Sequence, residues 1–242
     1  MKEITIILIL FCSTSLFAQF SFNTTSGSGI ESPTNTASGN SSVAMGENSI
    51  ASGLYSLGFG VQTNASGYAA IAMGRASTAS GESATSIGHQ TAASGKFSIA
   101  MGENSTASEL YSMSFGVQTD ASAYAALAMG RATSASGNSS VSLNYLTSAS
   151  GYASLAVGSS TQSIGENSFA GGLSTQSTGY SSAALGRETV ASGNHSLSIG
   201  QGTNSHAFNS VALGQYNSVS NNADPDTYLT TNTALVVGNG TD

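Results

Sequence analysis

The sequence predicts an all-β protein, a parallel β-solenoid (β-roll) of about thirteen coils of fourteen residues each. Three observations lead there. A glycine returns every fourteen residues over most of the chain. Two apolar residues separated by one small residue precede it in nearly every unit. A turn-forming residue recurs about every seven positions, too often for a helix.

The repeat occupies residues 36–217. Counted from Thr36, position 11 of each unit is Gly46, Gly60, Gly74, Gly88, Gly102, Gly116, Gly130, Asn144, Gly158, Gly172, Gly186, Gly200 and Gly214. Asn is the next-best tolerated residue in a left-handed backbone. The one exception therefore gives the column its reason: it is expected to be a structural corner with positive φ. Positions 8 (Val43, Leu57, Ile71) and 10 (Met45, Phe59, Met73) share one face of a strand. Positions 7 and 9 hold only Ala, Ser or Gly, and position 2 only Ala or Ser. Position 4 is usually Gly, but Glu109, Ala123 and Ala207 break it, so the second corner is expected to be less strained. Position 14 is Ser or Thr until Asn217, which predicts a hydroxyl ladder. Stacking at the ~4.8 Å strand spacing makes a rod roughly 60 Å long.

A longer period overlies the first. Residues 44–76 recur as 100–132, a shift of four coils, and a degenerate third copy follows. Tyr68, Tyr124 and Tyr180 thereby form one series and Arg75, Arg131 and Arg187 another, each spaced about 19 Å along the rod. Tyr and Arg are common binding anchors, which makes these six the candidate ligand-binding residues. The competing reading is that they only record the duplication.

Charge excludes several classes. Charged residues are 7% of the chain, the net charge is −7, and beyond residue 18 the basic residues are Arg75, Lys96, Arg131 and Arg187. No basic stripe is present, so neither nucleic acid nor an anionic membrane surface is an expected partner. His89, His195 and His206 fall at positions 12, 6 and 3 and form no column. None has a Ser or carboxylate partner at a catalytic spacing, so no enzyme is expected. No calcium-binding nonapeptide or other metal motif occurs, and no cofactor or metal is expected.

Residues 1–18 read as a secretory signal. Lys2 precedes an apolar core from Ile4 to Phe11 that is too short to span a bilayer, and cleavage is expected after Ala18. Cys12 is the single cysteine. Lipidation there is the alternative, but bulky Ile9, Leu10 and Phe11 precede it. Residues 19–35 are expected to be a lead-in, with Phe20 and Phe22 over the first coil. Residues 218–242 are expected to cap the other end, with a turn at Asp224-Pro225-Asp226 and a strand over 234–237. No segment after the signal is expected to enter a membrane.

Each coil offers two faces, the large 8/10 face and the small 7/9/2 face. One is expected to fill the interior and the other to be buried between chains; the pattern leaves open which. The units Ser-Ser-Val-Ala-Met-Gly (41–46), Phe-Ser-Ile-Ala-Met-Gly (97–102) and Asn-Ser-Val-Ala-Leu-Gly (209–214) resemble the head repeat of YadA-like trimeric autotransporter adhesins. That resemblance covers about three quarters of the chain. It implies a homotrimer of left-handed β-rolls on a bacterial cell surface, associated with the outer membrane. It also implies attachment to an extracellular-matrix or other surface ligand.

The family follows its head with a neck, a coiled-coil stalk and a membrane barrel. Residues 218–242 show neither heptads nor barrel strands. Their Thr-Ala-Leu-Val-Val-Gly-Asn-Gly-Thr (233–241) looks instead like the segment before self-cleaving chaperone domains of some surface and tail-fibre proteins. The expected function is an exported adhesin head. The alternatives are a structural spacer or fibre segment, or an ice- or polysaccharide-binding solenoid using the position-14 hydroxyls.

Overall fold

A coil of fourteen residues has room for only small side chains between its walls, and this decides which face turns inward. The computed structural model describes residues 21–22, 29–218 and 224–240. Positions 1–2 form a two-residue strand, from Ile50–Ala51 to Asn204–Ser205. Positions 8–12 form a five-residue strand, from Val43–Glu47 to Val211–Gln215. Turns join them on both sides. Like strands pair in parallel between coils without slippage: Ile99 faces Met113 and Gly102 faces Gly116. The longer strands with the end pieces make a 16-stranded sheet and the short ones a 12-stranded sheet. This is a parallel β-solenoid. No helix of the described residues is long and apolar enough to cross a membrane.

The small face is the interior. Ala65, Ala79, Ala72 and Ala100 are wholly buried, as are Ser98 and Ser112 of position 7. The largest fully buried side chains are the threonines of position 14. The large residues of positions 8 and 10 stand on the outer surface of the long-strand sheet, partly exposed, up to 45% at Met129. The short turns hold the two sheets close together, and methyl and hydroxymethyl groups occupy the space between them.

The glycine column has φ between 108 and 136°. It lies at the fourth residue of each long strand rather than in the turn, which follows at position 13. A Cβ there would sit 1.8–2.1 Å from the carbonyl oxygen of the same position in the next coil. Asn144 is accommodated with φ at 89°. The turns themselves use positions 6 and 13, where the non-glycine residues have φ of 50–60°. Position 4 shows no positive φ; its glycines are set by close stacking, with a Cβ 1.9–2.2 Å from the next coil.

Both ends continue the ladder. Ser21–Phe22 runs antiparallel to Ile30–Glu31, which pairs in parallel with the first long strand. Leu235–Asn239 stacks on Val211–Gln215 and sets Gly238 beside Gly214. Asn residues end the position-14 column. Asn35 accepts from the Ser49 N–H at 2.7 Å and donates to the Gly46 carbonyl at 2.9 Å. Asn217 donates to the Gly238 carbonyl at 2.5 Å. The signal segment 1–18, Cys12 and Phe20 lie outside the described residues, and of Phe22 only the backbone is described.

Candidate binding edges

Flattened coils leave two lateral edges, one at positions 5–6 and one at positions 12–13. At the first, the position-7 N–H closes a turn onto the position-4 carbonyl, as from Ser56 to Gly53 at 3.2 Å. The position-6 N–H donates to the position-5 carbonyl of the preceding coil, as from Tyr55 to Asn40 at 3.0 Å. Side chains at 5 and 6 therefore project outside the coil and meet their neighbours along the rod.

Tyr68, Tyr124 and Tyr180 lie here, about half-exposed, and each joins an aromatic partner that the sequence analysis did not single out. Tyr55 stands edge-on to Tyr68 with centroids 5.7 Å apart. Phe97 stacks on Tyr111, which stands edge-on to Tyr124 at 6.0 Å. Tyr180, His195 and Phe208 form a third run at 5.3 and 5.5 Å. The missed signal is a pair of positions: aromatics at either 5 or 6 in successive coils become neighbours. Lys96 pairs with Glu82 at 2.7 Å on the same edge.

Arg75, Arg131 and Arg187 lie at position 12, on the opposite edge. The fold does not bring the Tyr and Arg series together. Arg131 lies 5.8 Å from the Tyr145 ring centroid, and Arg187 bonds Glu188 at 3.1 Å. His89 approaches Glu103 at 3.8 Å. His206 Nδ1 lies 2.8 Å from Ser192 Oγ. Among the described residues no cluster of His, Cys, Asp and Glu is arranged to hold a metal ion.

One expectation is corrected. The position-14 hydroxyls do stack, but inside the coil. Thr63, Thr91 and Thr203 are at most 1% exposed. A column sealed between two sheets presents nothing to ice or to a crystalline polysaccharide, so that reading of the hydroxyls fails.

The family model for the YadA head domain repeat, two copies per match, fits residues 37–63, 65–91, 93–119, 149–175 and 177–203. Each match runs from position 2 of one coil to position 14 of the next. Together they span more than half of the chain. The chain belongs to the YadA head domain repeat family. The fold and family are of a structural, adhesin-like type. A comparison with curated proteins returns no match.

Proposed function

We propose that this chain is the head of a homotrimeric adhesin, exported by its N-terminal signal to the bacterial surface, where it attaches to an extracellular-matrix or other surface ligand. The observation that carries the reading is the outward placement of positions 8 and 10. They form two adjacent apolar columns running the length of the rod. At the strand spacing and rise they cover on the order of 600 Å², at the top of what a typical monomer leaves in one apolar patch. Equivalent walls on three identical rods cover one another in a closed arrangement. The family supports that arrangement. The lateral edges then face outward. They repeat every coil or every four coils, a geometry suited to many weak contacts acting together. Tyr68, Tyr124 and Tyr180 on one edge and Arg75, Arg131 and Arg187 on the other are the proposed contacts.

The test has two parts. Light scattering of the exported chain is expected to give the mass of three copies; a monodisperse monomer at micromolar concentration overturns the trimer. Beads carrying the protein are expected to bind matrix-coated surfaces. Replacing all six Tyr and Arg residues by Ala is expected to reduce that binding, and undiminished binding removes them from the reading.

A further inference from the structure

One coil departs from the repeat where the duplication supplies no reason for it. Coil eight carries Asn144, Tyr145 and Leu146 at positions 11 to 13. The equivalents four coils away are Gly88, His89 and Gln90 on one side and Gly200, Gln201 and Gly202 on the other. Asn144 replaces the glycine with φ at 89°, and Leu146, the only large aliphatic residue at position 13, is left-handed with φ at 52°. Both choices cost backbone strain. Tyr145 and Leu146 are exposed, so little burial offsets it.

The neighbouring coils turn this departure into a notch across the 12/13 edge. Register places Arg131, Tyr145, Ser159 and Leu173 side by side at position 12 of successive coils. The small Ser159 and Ser160 therefore lie between Tyr145 and Leu146 on one side and exposed Leu173 on the other, two coils or about 10 Å apart. Arg131 lies against the Tyr145 ring, and no carboxylate of the described residues is within ion-pair distance of it. The carbonyls of Leu146 and Ser160 accept no hydrogen bond among the described residues. In the preceding four-coil block the same place is filled from within. Glu103 is the equivalent of Ser159, and its carboxylate approaches His89, the equivalent of Tyr145, at 3.8 Å.

We propose that the notch of coils seven to ten binds an acidic peptide segment of a partner protein, one that carries a carboxylate beside an apolar side chain. The carboxylate takes the place that Glu103 holds in the earlier block and pairs with Arg131. The apolar side chain enters between Leu146 and Leu173. The free carbonyls accept from peptide N–H groups, which selects a polypeptide over other anions. Aromatic and Arg side chains are the usual anchors of such contacts, and strain held at exposed residues is the mark of a site kept for binding rather than for stability. This rests on the surface-binding reading above and names a ligand class for one stretch of one edge.

The test uses the exported chain and a fluorescein-labelled peptide of Glu-Leu-Gly repeats, followed by anisotropy, with Gln-Leu-Gly and Glu-Ser-Gly peptides of equal length as controls. The Glu-Leu-Gly peptide is expected to bind more tightly than either control. Arg131→Gln is expected to weaken its binding about fivefold, the upper range for an exposed ion pair. Ser159→Glu is expected to weaken it at least as much, because it restores the chain's own carboxylate to the notch. Glu103 at the same position of its strand shows that the coil accommodates that side chain. Equal affinity for the three peptides, or unchanged binding in these two variants, overturns the proposal.

Leu146→Asn separates binding from folding. Asn tolerates the left-handed backbone better than Leu, so the variant is expected to melt higher and yet to bind the peptide more weakly. Unchanged affinity in a variant that melts higher overturns the notch. Binding of dextran sulfate with no preference among the three peptides marks a general attraction of anions to Arg131 and overturns it as well. If beads carrying the protein still adhere to matrix in either case, the adhesin reading stands without this ligand.

Discussion

Thr119 Oγ1 lies 2.7 Å from Ser114 Oγ inside the coil and donates to Ser105 Oγ of the preceding coil at 2.9 Å. Ser105 in turn donates to the Gly116 carbonyl at 2.9 Å. Three hydroxyls thus pass their protons in one direction and end on a backbone acceptor. Ser86, Thr91, Ser77 and Gly88 repeat the arrangement two coils earlier.

The relay depends on position 9. Where it is Ser, as at Ser86, Ser114, Ser142 and Ser198, the threonine of position 14 is bonded. Where it is Ala or Gly, as for Thr63, Thr133, Thr161, Thr175 and Thr189, the hydroxyl is buried without a partner. A lost partner leaves a desolvated hydroxyl and costs roughly 1–3 kcal/mol. Thr119→Val is therefore expected to lower Tm, because it orphans Ser114. Thr63→Val, which trades an orphaned hydroxyl for a methyl, is expected to leave Tm unchanged or raise it. Gly58 is the four-coil equivalent of Ser114, and a Cβ there would stand 3.4 Å from Thr63 Oγ1 and 3.0 Å from the Ile50 carbonyl oxygen, a tight contact that the backbone must ease. Gly58→Ser is expected to complete the relay and raise Tm. Thermal melts at one protein concentration check all three; equal losses for Thr119→Val and Thr63→Val would sink the account.

The column of positive φ at Gly46 and its successors is visible in the sequence because only Asn144 interrupts it. Why a side chain is refused there is not visible: the cause is the next coil's carbonyl, a contact between residues fourteen apart. The turns at positions 6 and 13 are less legible in the sequence. Their left-handed residues include Tyr55, Phe97, Gln62 and Leu146, none of which advertises positive φ. The legible trace is an absence: neither position holds Val, Ile or Thr in any unit, and β-branched side chains are the ones that conformation tolerates least. Which face is interior was undecidable from alternation alone, because both faces are apolar enough. Side-chain volume decides it. The aromatic edge is half-legible: Tyr68 and Tyr124 stand out through the duplication, whereas Tyr55 and Tyr111 become their neighbours only when consecutive coils stack.

Gly102 has φ at 119°, and a Cβ on it would fall 1.9 Å from the Gly116 carbonyl oxygen. Ala at this position meets both backbone strain and a collision that only separation of the coils relieves. Gly102→Ala is expected to cost about 3 kcal/mol or more. Asn144→Gly is expected to act oppositely and gain roughly 1 kcal/mol. Tm values of the two variants, moving in opposite directions from the parent, test the pair; a stabilised Gly102→Ala contradicts the stacking contact.

Leu146 sits at position 13 with φ at 52°, and 47% of its surface is exposed. Its side chain gains little from burial, so backbone preference dominates the outcome of substitution. Leu146→Asn is expected to raise stability by about 1 kcal/mol and Leu146→Ile to lower it by at least as much. If both variants melted alike, the turn conformation would not be limiting at this coil.

Asp224 anchors the segment whose carbonyls accept from the Asn194 and Phe208 N–H groups. Its carboxylate accepts from Thr227 Oγ1 and from the N–H groups of Asp226 and Thr227. These bonds, the Thr227 hydroxyl foremost, hold its pKa below the ordinary value of 3.8. The folded value being depressed, the stabilisation is complete above that value and is lost as pH falls through the folded pKa. Acidification below about pH 4 is thus expected to loosen the 224–227 turn and free the Asn194 and Phe208 amides first. Hydrogen exchange of those two amides against pH reports it, and Asp224→Asn is expected to remove most of the pH dependence. Constant protection of both amides down to pH 2 would disconnect the carboxylate from the docking of the tail.

The apolar wall makes the sharpest demand on assembly. Ile71 and Met101 project from the long-strand sheet at positions 8 and 10, away from the packed alanines and threonines. A charge there is solvated in a lone rod and costs the fold little. At a contact between rods the same charge is desolvated without a partner, which costs several kcal/mol per copy. Ile71→Glu and Met101→Glu together are therefore expected to convert the proposed trimer into monomers with unchanged far-ultraviolet circular dichroism, since the coil interior is not touched. Light scattering after size exclusion gives the mass. Trimers that persisted in the double variant would place the contact between chains on another surface, with one of the two lateral edges the next to be charged.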